Sequence, residues 1–461
     1  MLQWSDQKEL IQKYQARVPR YTSYPPATAF KKTSPLIASD VYKSFQRSTH
    51  DPISLYIHLP FCETMCHYCG CAAIATKNKN RWYPYVKTLK SEMKQLASFF
   101  KNRPQCSQLH WGGGTPNWLP QDLADDLFSY VTDLFPLSSE AEVAIEIDPK
   151  TLQRDQLSRL RALGFNRVSF GIQDTSHEVQ KAIGRIFPAE EMNKLFLEAH
   201  DLKFKSINVD LIYGLPRQTA ESFKQTVIEV INMRPQRISL FGYAHVPWIK
   251  PHQLLMNASE LPSSTDRIIM FTMAADLLKE SGYEHLGLDH FVLPEDTLAQ
   301  AKQNGSLYRN FQGYSVRKSQ NLIGLGMSAI GEVQGTFLAN HRRLGKYQAS
   351  ISVGHMPIER VYKPSKSERA IANSINEIMC HGKLDLENLS MSFGGVKSLY
   401  GVSVFQKLEA LRADQLIEFD GRHLKVNPIG RYVLRHIAAA LDPMIETEAS
   451  EESQVQYSRG I

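Results

Sequence analysis

The chain contains no run of 18 apolar residues, no internal repeat, and no low-complexity segment apart from the polar tail "ETEASEESQVQYSRGI". The first absence excludes an evident membrane-spanning helix. The opening stretch "MLQWSDQKELIQKYQARVPR" is too polar and too acidic for a signal or transit peptide, so a soluble, cytoplasmic protein is expected. A strong charge of one sign is also missing: 53 Lys and Arg against 47 Asp and Glu leave +6 over 461 residues. That balance permits an anionic substrate but is too diffuse to argue for nucleic acid. No heptad seam calls for an obligate oligomer, so a monomer is expected. Cysteine is scarce, with six in the whole chain. In a reducing compartment so few thiols exclude a disulfide framework and point to metal ligation or redox chemistry where they cluster.

What is present describes a folded protein of two or three domains: 43% apolar residues, 22% charged residues and 23 scattered prolines. From residue 53 short β-type runs alternate with amphipathic stretches. "ISLYIHLP", "SQLHW", "EVAIEI", "RVSFGIQ", "SINVDLIYGLP" and "RISLFGYAH" read as strands. The segments 82–100, 121–135, 151–163, 189–202, 220–232 and 263–281 read as helices. Strands each followed by a helix imply parallel βαβ units, hence an open doubly wound sheet or an incomplete α/β barrel. In both, ligands sit at the C-terminal strand ends. Several chemically capable residues follow strand ends: the cysteines after "YIHLP", Gly112 to Thr115, Glu146 and Asp148, Gln173, and Asp210. From about Lys363, "SVFQKLEALRADQ", "LIEFDGRHLKV" with a turn at Asp420-Gly421, and "PIGRYVLRHIAAAL" predict a helix, a hairpin and a closing helix, a winged-helix-like arrangement.

Four of the six cysteines fall in "FCETMCHYCGC". Zinc sites usually close with two separated pairs, and no second pair exists here, so Cys106 and Cys380 read as ordinary buried thiols. A redox C-x2-C would use Cys66 and Cys69 and leave Cys62 and Cys71 idle. Ligation of an iron-sulfur cluster fits the spacing better. Spacing alone leaves open whether Cys71 takes the fourth iron or that iron is free for a ligand.

C-x3-C-x2-C with an aromatic, Tyr68, before the last cysteine resembles the radical S-adenosylmethionine (SAM) superfamily, and "GGGTP" at Gly112 to Pro116 resembles its methionine-contacting segment. The segments "RYTSYP", "YIHLPFC", "CHYCGC", "LHWGGGTP", "FNRVSFGIQD", "NVDLIYGLP", "YAHVP", "GLDHF", "RNFQGY" and "QYSRGI" together resemble the oxygen-independent coproporphyrinogen III oxidase (dehydrogenase) family over essentially the whole chain. The resemblance implies an incomplete (β/α)6 TIM-type barrel with a C-terminal, mainly helical, winged-helix-like domain. The implied division is an N-terminal arm or lid at 1–50, the barrel at 51–290, an extension at 291–362 and the helical domain at 363–461. It further implies a 4Fe-4S cluster on Cys62, Cys66 and Cys69 and two molecules of SAM. Tyr56, Gly113 and Glu146 match positions serving the cluster-bound molecule. Tyr68, Gly114, Thr115, Gln173, Arg185, Asp210, Ala244 and Ile330 match positions serving the second. Chemically, Asp210 suits a ribose diol and Arg185 a methionine carboxylate. Cys71, as a thiol near the reacting centre, and Tyr56 are the expected catalytic residues.

The implied reaction converts two propionates of coproporphyrinogen III to vinyls, with an unidentified electron donor and acceptor. Read without the resemblance, Glu146 and Asp210 are caps or ion-pair residues, Gly112 to Gly114 a tight turn, and Arg185 a solvated helix charge. His58 reads as a core histidine or as part of the site. Gly242 in "FGYAHVP" and the segment "RIFPAEE" depart from the family pattern. Rival functions are a haem chaperone or a haem-degrading relative. A DNA-binding C-terminal domain is a weaker rival, because "GVSVFQKLEALRADQ" mixes acidic with basic residues.

Overall fold

Alternation of apolar and polar residues makes a strand with two unlike faces. The computed structural model describes residues 52–319 and 321–445, together with 10, 13–14, 18–19, 21, 24–34 and 40–43. Most of the expected N-terminal arm and the tail "QYSRGI" lie outside the described residues. The six expected strands are β1 (Ile53–Leu59), β2 (Cys106–Gly113), β3 (Leu137–Ile147), β4 (Arg167–Gln173), β5 (Ser206–Tyr213) and β6 (Arg237–Gly242). The helices between and after them are α1 (Trp82–Ala97), α2 (Gln121–Leu134), α3 (Gln156–Leu163), α4 (Ala189–Asp201), α5 (Ala220–Met233) and α6 (Ser264–Glu280). Short strands β7 (Glu284–Leu286) and β8 (His290–Val292) follow. Then come β9 (Asn321–Leu325), β10 (Ile330–Val333), β11 (Thr336–Asn340), α7 (Leu344–Ser352) and β12 (Ile358–Tyr362).

Packing gathers the chain into two units: 28–210 with 319–363, and 1–27 with 211–318 and 364–461. In the first, β1 to β5 lie in strictly sequential order, with β1 to β4 parallel to one another. A doubly wound sheet reverses its strand order at a switch point; sequential order is the winding of an α/β barrel. β9 adds parallel to the free side of β1, and β10, β11 and β12 continue antiparallel beyond it.

One face of these strands is apolar. Trp111 of β2 packs with Phe128 of α2 and edge-on to Phe165 at 5.1 Å. The other face is polar and hydrogen-bonded from strand to strand. Ser54 donates to Gln108 Oε1 at 3.1 Å, Gln108 Nε2 donates to Glu142 at 3.1 Å, and Arg167 donates to Glu142 at 2.6 Å. These strands thus carry hydrogen-bonded polar side chains on the face where α/β barrels usually place branched aliphatic ones.

In the second unit, β6, β8 and β7 form a small antiparallel set, with Ser239 of β6 opposite His290 of β8. The C-terminal part begins with α8 (Lys366–His381), whose N-terminus carries a reciprocal cap between Ser365 and Glu368 and whose C-terminus stops at Gly382 in the left-handed region. Strands β13 (Lys383–Asp385), β14 (Ile417–Phe419) and β15 (His423–Val426) make a three-stranded antiparallel sheet in the order β13-β15-β14. Helices α9 (Val404–Ala413) and α10 (Leu434–Ala440) supply its apolar cover. The turn at Asp420-Gly421 is present, with Asp420 accepting from the amides of Arg422 and His423. Tyr21 and Tyr24 of "RYTSYP" donate to the buried Asp442 at 2.8 and 3.0 Å. Among the described residues no helix is long and apolar enough to cross a membrane.

Candidate active site

The cysteine loop leaves the C-terminal end of β1. Its ends are pinned by a short parallel pairing of Phe61–Cys62 with Ile74–Ala75, and by Ile74 and Thr76 amides donating to the Pro60 and Cys62 carbonyls, both at 2.8 Å. Phe61 anchors the entry, edge-on to Trp82 at 4.9 Å. The Cys69 amide donates to the Cys66 carbonyl at 3.2 Å, and the His67 amide to Ile183 at 3.0 Å. The loop is thus a tied structure, not a free excursion.

Two of the three expected ligand sulfurs meet a hydrogen-bond donor, and the buried Thr115 lies beside the third, Cys62. Arg185 Nη1 lies 3.6 Å from Cys66 Sγ. The Cys71 amide donates to Cys69 Sγ at 3.4 Å. Burial pushes the Cys62 thiol up to about 12, against the influence of Thr115, and pushes Cys66 up against the charge of Arg185. Protein hydrogen bonds to sulfur suit thiolates that bind a metal cluster, since they stabilise and tune the charged form. Among the described residues no three His, Cys, Asp or Glu side chains gather to hold a metal ion. The Cys71 thiol is raised as well, first by its hydrogen bond to Cys69 and then by burial of the sulfur, although the residue as a whole is exposed.

Beside the loop, the polar faces of β1, β2 and β3 form a wall. Tyr56 stacks on His110 with ring centroids 5.7 Å apart. Glu146 accepts from His110 Nε2 at 3.1 Å and from the Gly113 amide at 3.0 Å. Burial would raise the Glu146 carboxyl; the hydrogen bond and charge of His110 and the Gly113 amide outweigh it and hold the group below the usual carboxylate range. The glycines make these contacts possible. A Cβ at Gly112 would stand 2.6 Å from a Glu146 oxygen, and Gly113, at φ +113°, has the His58 ring where its Cβ would go.

Gln173 closes β4 in the left-handed region at φ +69°. The guanidinium of Arg185 is well buried, paired with Asp148 at 3.0 Å and donating to the Gly171 carbonyl at 2.6 Å. It is therefore not a solvated helix charge, and in this structure its donors are engaged by the protein. Tyr68, half-buried, is raised by burial, against the influence of Arg185. Asp210 ends this unit's portion of β5 and accepts from Ser169 at 3.0 Å and Asn208 at 2.8 Å. Gly114 donates to the Leu59 carbonyl at 2.8 Å. Ile330 opens β10, close against Gly324, where a Cβ would be 2.7 Å from its carbonyl oxygen.

Of the expected site residues, only Ala244 belongs to the other unit, where its carbonyl accepts from the buried Gln253 at 3.2 Å. Gly242 nearby is closely packed: a Cβ there would stand 2.9 Å from the Tyr213 hydroxyl and could not be added without a shift. Cys106 and Cys380 are buried and free, as expected. Sequence reasoning left His58 undecided and did not single out His110, which orients Glu146. An alternating strand pattern that places a histidine on the polar face beside Tyr56 was the available signal.

Comparison with known proteins places the chain in a family. The radical SAM superfamily profile matches residues 56–230. The oxygen-independent coproporphyrinogen III oxidase of Synechocystis is 38% identical over 98% of this chain and 97% of its own length. That of Pseudomonas aeruginosa is 38% identical over 94% and 95%. The solved structure of coproporphyrinogen III oxidase from Escherichia coli, described as a radical SAM enzyme, superposes with a TM-score of 0.87 at 33% identity, covering 93% of this chain and all of that one. A polar-lined, sequentially wound barrel, a tied three-cysteine loop and similarity along nearly the whole length lead to one conclusion: this chain belongs to the oxygen-independent coproporphyrinogen III oxidases of the radical SAM superfamily.

Proposed function

We propose that this protein oxidatively decarboxylates two propionate side chains of coproporphyrinogen III to vinyl groups, giving protoporphyrinogen IX and two molecules of carbon dioxide. The observation that carries the reading is the near-full-length similarity to curated relatives of that name. When bound, the 4Fe-4S cluster and SAM would supply one-electron radical chemistry that removes hydrogen from the propionate β-carbon, with carbon dioxide and one further electron leaving.

The chain's own part is to bind, orient and shield. Cys62, Cys66 and Cys69 would hold the cluster, with Arg185 beside the Cys66 sulfur and the Cys71 amide donating to the Cys69 sulfur. Tyr56, Gly113 and Glu146 serve the cluster-bound nucleotide, the ionised Glu146 accepting from ribose hydroxyls. Tyr68, Gly114, Thr115, Gln173, Arg185, Asp210, Ala244 and Ile330 serve a second SAM. Because Arg185 already pairs with Asp148, its service is shared between the protein and the ligand. Cys71 stays protonated close to the reacting centre. The electron donor and acceptor are separate molecules, and the work belongs to a monomer in the cytoplasm without nucleic acid. On α9, Arg412 is paired with Glu409 at 2.7 Å, so that helix offers no basic stripe to DNA.

The test is anaerobic turnover by reconstituted protein with dithionite, SAM and an electron acceptor. Protoporphyrinogen IX with two equivalents of carbon dioxide is expected. Formation of 5'-deoxyadenosine without porphyrinogen turnover, combined with stable haem binding, would move the assignment to a haem chaperone or haem-degrading enzyme.

A further inference from the structure

His58 is buried on the polar face of β1, between Tyr56 and the end of the cysteine loop. Its Nε2 lies 2.9 Å from the Ala72 carbonyl oxygen, and its Nδ1 lies 3.1 Å from the Tyr56 hydroxyl. A carbonyl oxygen only accepts, so Nε2 carries a proton. Burial disfavours the charged ring, which lowers its pKa, so Nδ1 is a bare acceptor. The Tyr56 hydroxyl must then give its single proton to His58. The seat is specific, because any side chain at Gly113 would run into the His58 ring, 2.4 Å from its Cε1.

We propose that His58 is a positioning residue that turns Tyr56 into an obligate hydrogen-bond acceptor toward the bound nucleotide, while tying the chain just after Cys71 to β1. With its proton committed, the Tyr56 oxygen offers only lone pairs. In the same wall Glu146, to which His110 Nε2 and the Gly113 amide donate, also presents acceptor oxygens. The ligand group that meets this wall is therefore a donor: the ammonium or a ribose hydroxyl of SAM, not its carboxylate. This inference rests on the SAM-dependent reading above and concerns which atoms of Tyr56 face the cofactor.

Asparagine and glutamine separate the two halves of the relay. The side-chain amide oxygen of Asn reaches about where Nδ1 sits, and the amide nitrogen of Gln about where Nε2 sits. His58→Asn keeps an acceptor for Tyr56, and His58→Gln keeps the donor to Ala72. The measurement is SAM affinity of anaerobic, cluster-loaded full-length protein by equilibrium dialysis, with iron content determined in parallel. His58→Gln is expected to retain iron but weaken SAM binding about tenfold, the scale of one misdirected hydrogen bond. His58→Asn should bind SAM within about threefold of the unsubstituted protein, while its Cys71 thiol is alkylated faster. In a Tyr56→Phe background His58→Gln should cost nothing further, since the two act as one unit. Equal affinities in the Asn and Gln variants, a weaker Asn variant, or full additivity with Tyr56→Phe would overturn the relay. If one variant fails to load iron, the Tyr56→Phe comparison with the other decides. Absence of SAM binding by the unsubstituted protein would instead refute the functional reading itself.

Discussion

Two glutamates of the same unit, Glu146 near the end of β3 and Glu92 on the buried face of α1, have opposite electrostatics. Glu146 faces an imidazole and a backbone amide, and its carboxyl is held below the usual range. Glu92 is sealed in the packing between α1, α7 and β11, accepting from Tyr347 at 2.6 Å, from Asn340 at 2.8 Å and from the Gly326 amide at 2.8 Å. Burial there outweighs three neutral donors and pushes its carboxyl up to about 7. A carboxylate stays ionised when a group that carries or shares charge meets it, whereas uncharged donors alone do not offset full desolvation. The first arrangement keeps an acceptor ready for a ligand. The second braces the turn at Gly326, next to the Tyr85 hydroxyl that donates to the His58 carbonyl at 2.6 Å.

The strongest way to break this contrast is at the thiols. Cys62→Ser is expected to lose the cluster and all turnover, read as iron content and the visible absorption of reconstituted protein. A variant that kept full iron would refute the ligand assignment.

Glu92 sharpens the comparison through pH. Its folded-state pKa lies above the ordinary value of 4.5, so the native state binds the extra proton. The stability from this group is fully present below about 4.5 and is lost as pH rises through about 7. Urea unfolding should show the unsubstituted protein losing roughly 3 kcal/mol relative to Glu92→Gln between pH 4.5 and 8. Parallel pH profiles for the two proteins would mean that Glu92 is ionised in the fold.

Glu146→Gln should retain iron and lower SAM affinity or turnover by about 10- to 100-fold, the scale of a charged hydrogen bond. An unchanged value would leave Glu146 as a brace like Glu92. The smallest effect is expected at Cys71→Ser: iron content and cluster spectrum should match the unsubstituted protein. A loss equal to that of Cys62→Ser would make Cys71 a fourth ligand.

Much of this site was legible before the fold. β1 to β6 and the helices after them follow the alternation and amphipathic periods within a few residues, because each strand has one face against apolar helices and the other toward a polar interior. The chemically capable residues at strand ends were visible for the same reason, since βα connections collect at one end of the strands. The state of Arg185 was not legible. A lone arginine in "GRIFP" reads as solvated, and only tertiary packing brings Asp148, Gly171 and Cys66 round it. Nor could a linear reading show that 319–363 packs with 28–210 while 211–318 packs with 364–461. Parallel pairing of β9 with β1 joins segments more than 250 residues apart, and no local pattern encodes such a partner.

By itself the sequence determined the strand and helix periods, the loop that carries Cys62, Cys66, Cys69 and Cys71, and the glycines that leave room at the strand ends. These depend on residue type and spacing along the chain. The tertiary structure alone decided which sulfur receives which donor, that the Glu146 carboxyl is held down while that of Glu92 is pushed up, and that the His58 tautomer sets the direction of the Tyr56 proton. Hydrogen-bond direction and pKa depend on what lies opposite in space, and those partners come from distant parts of the chain.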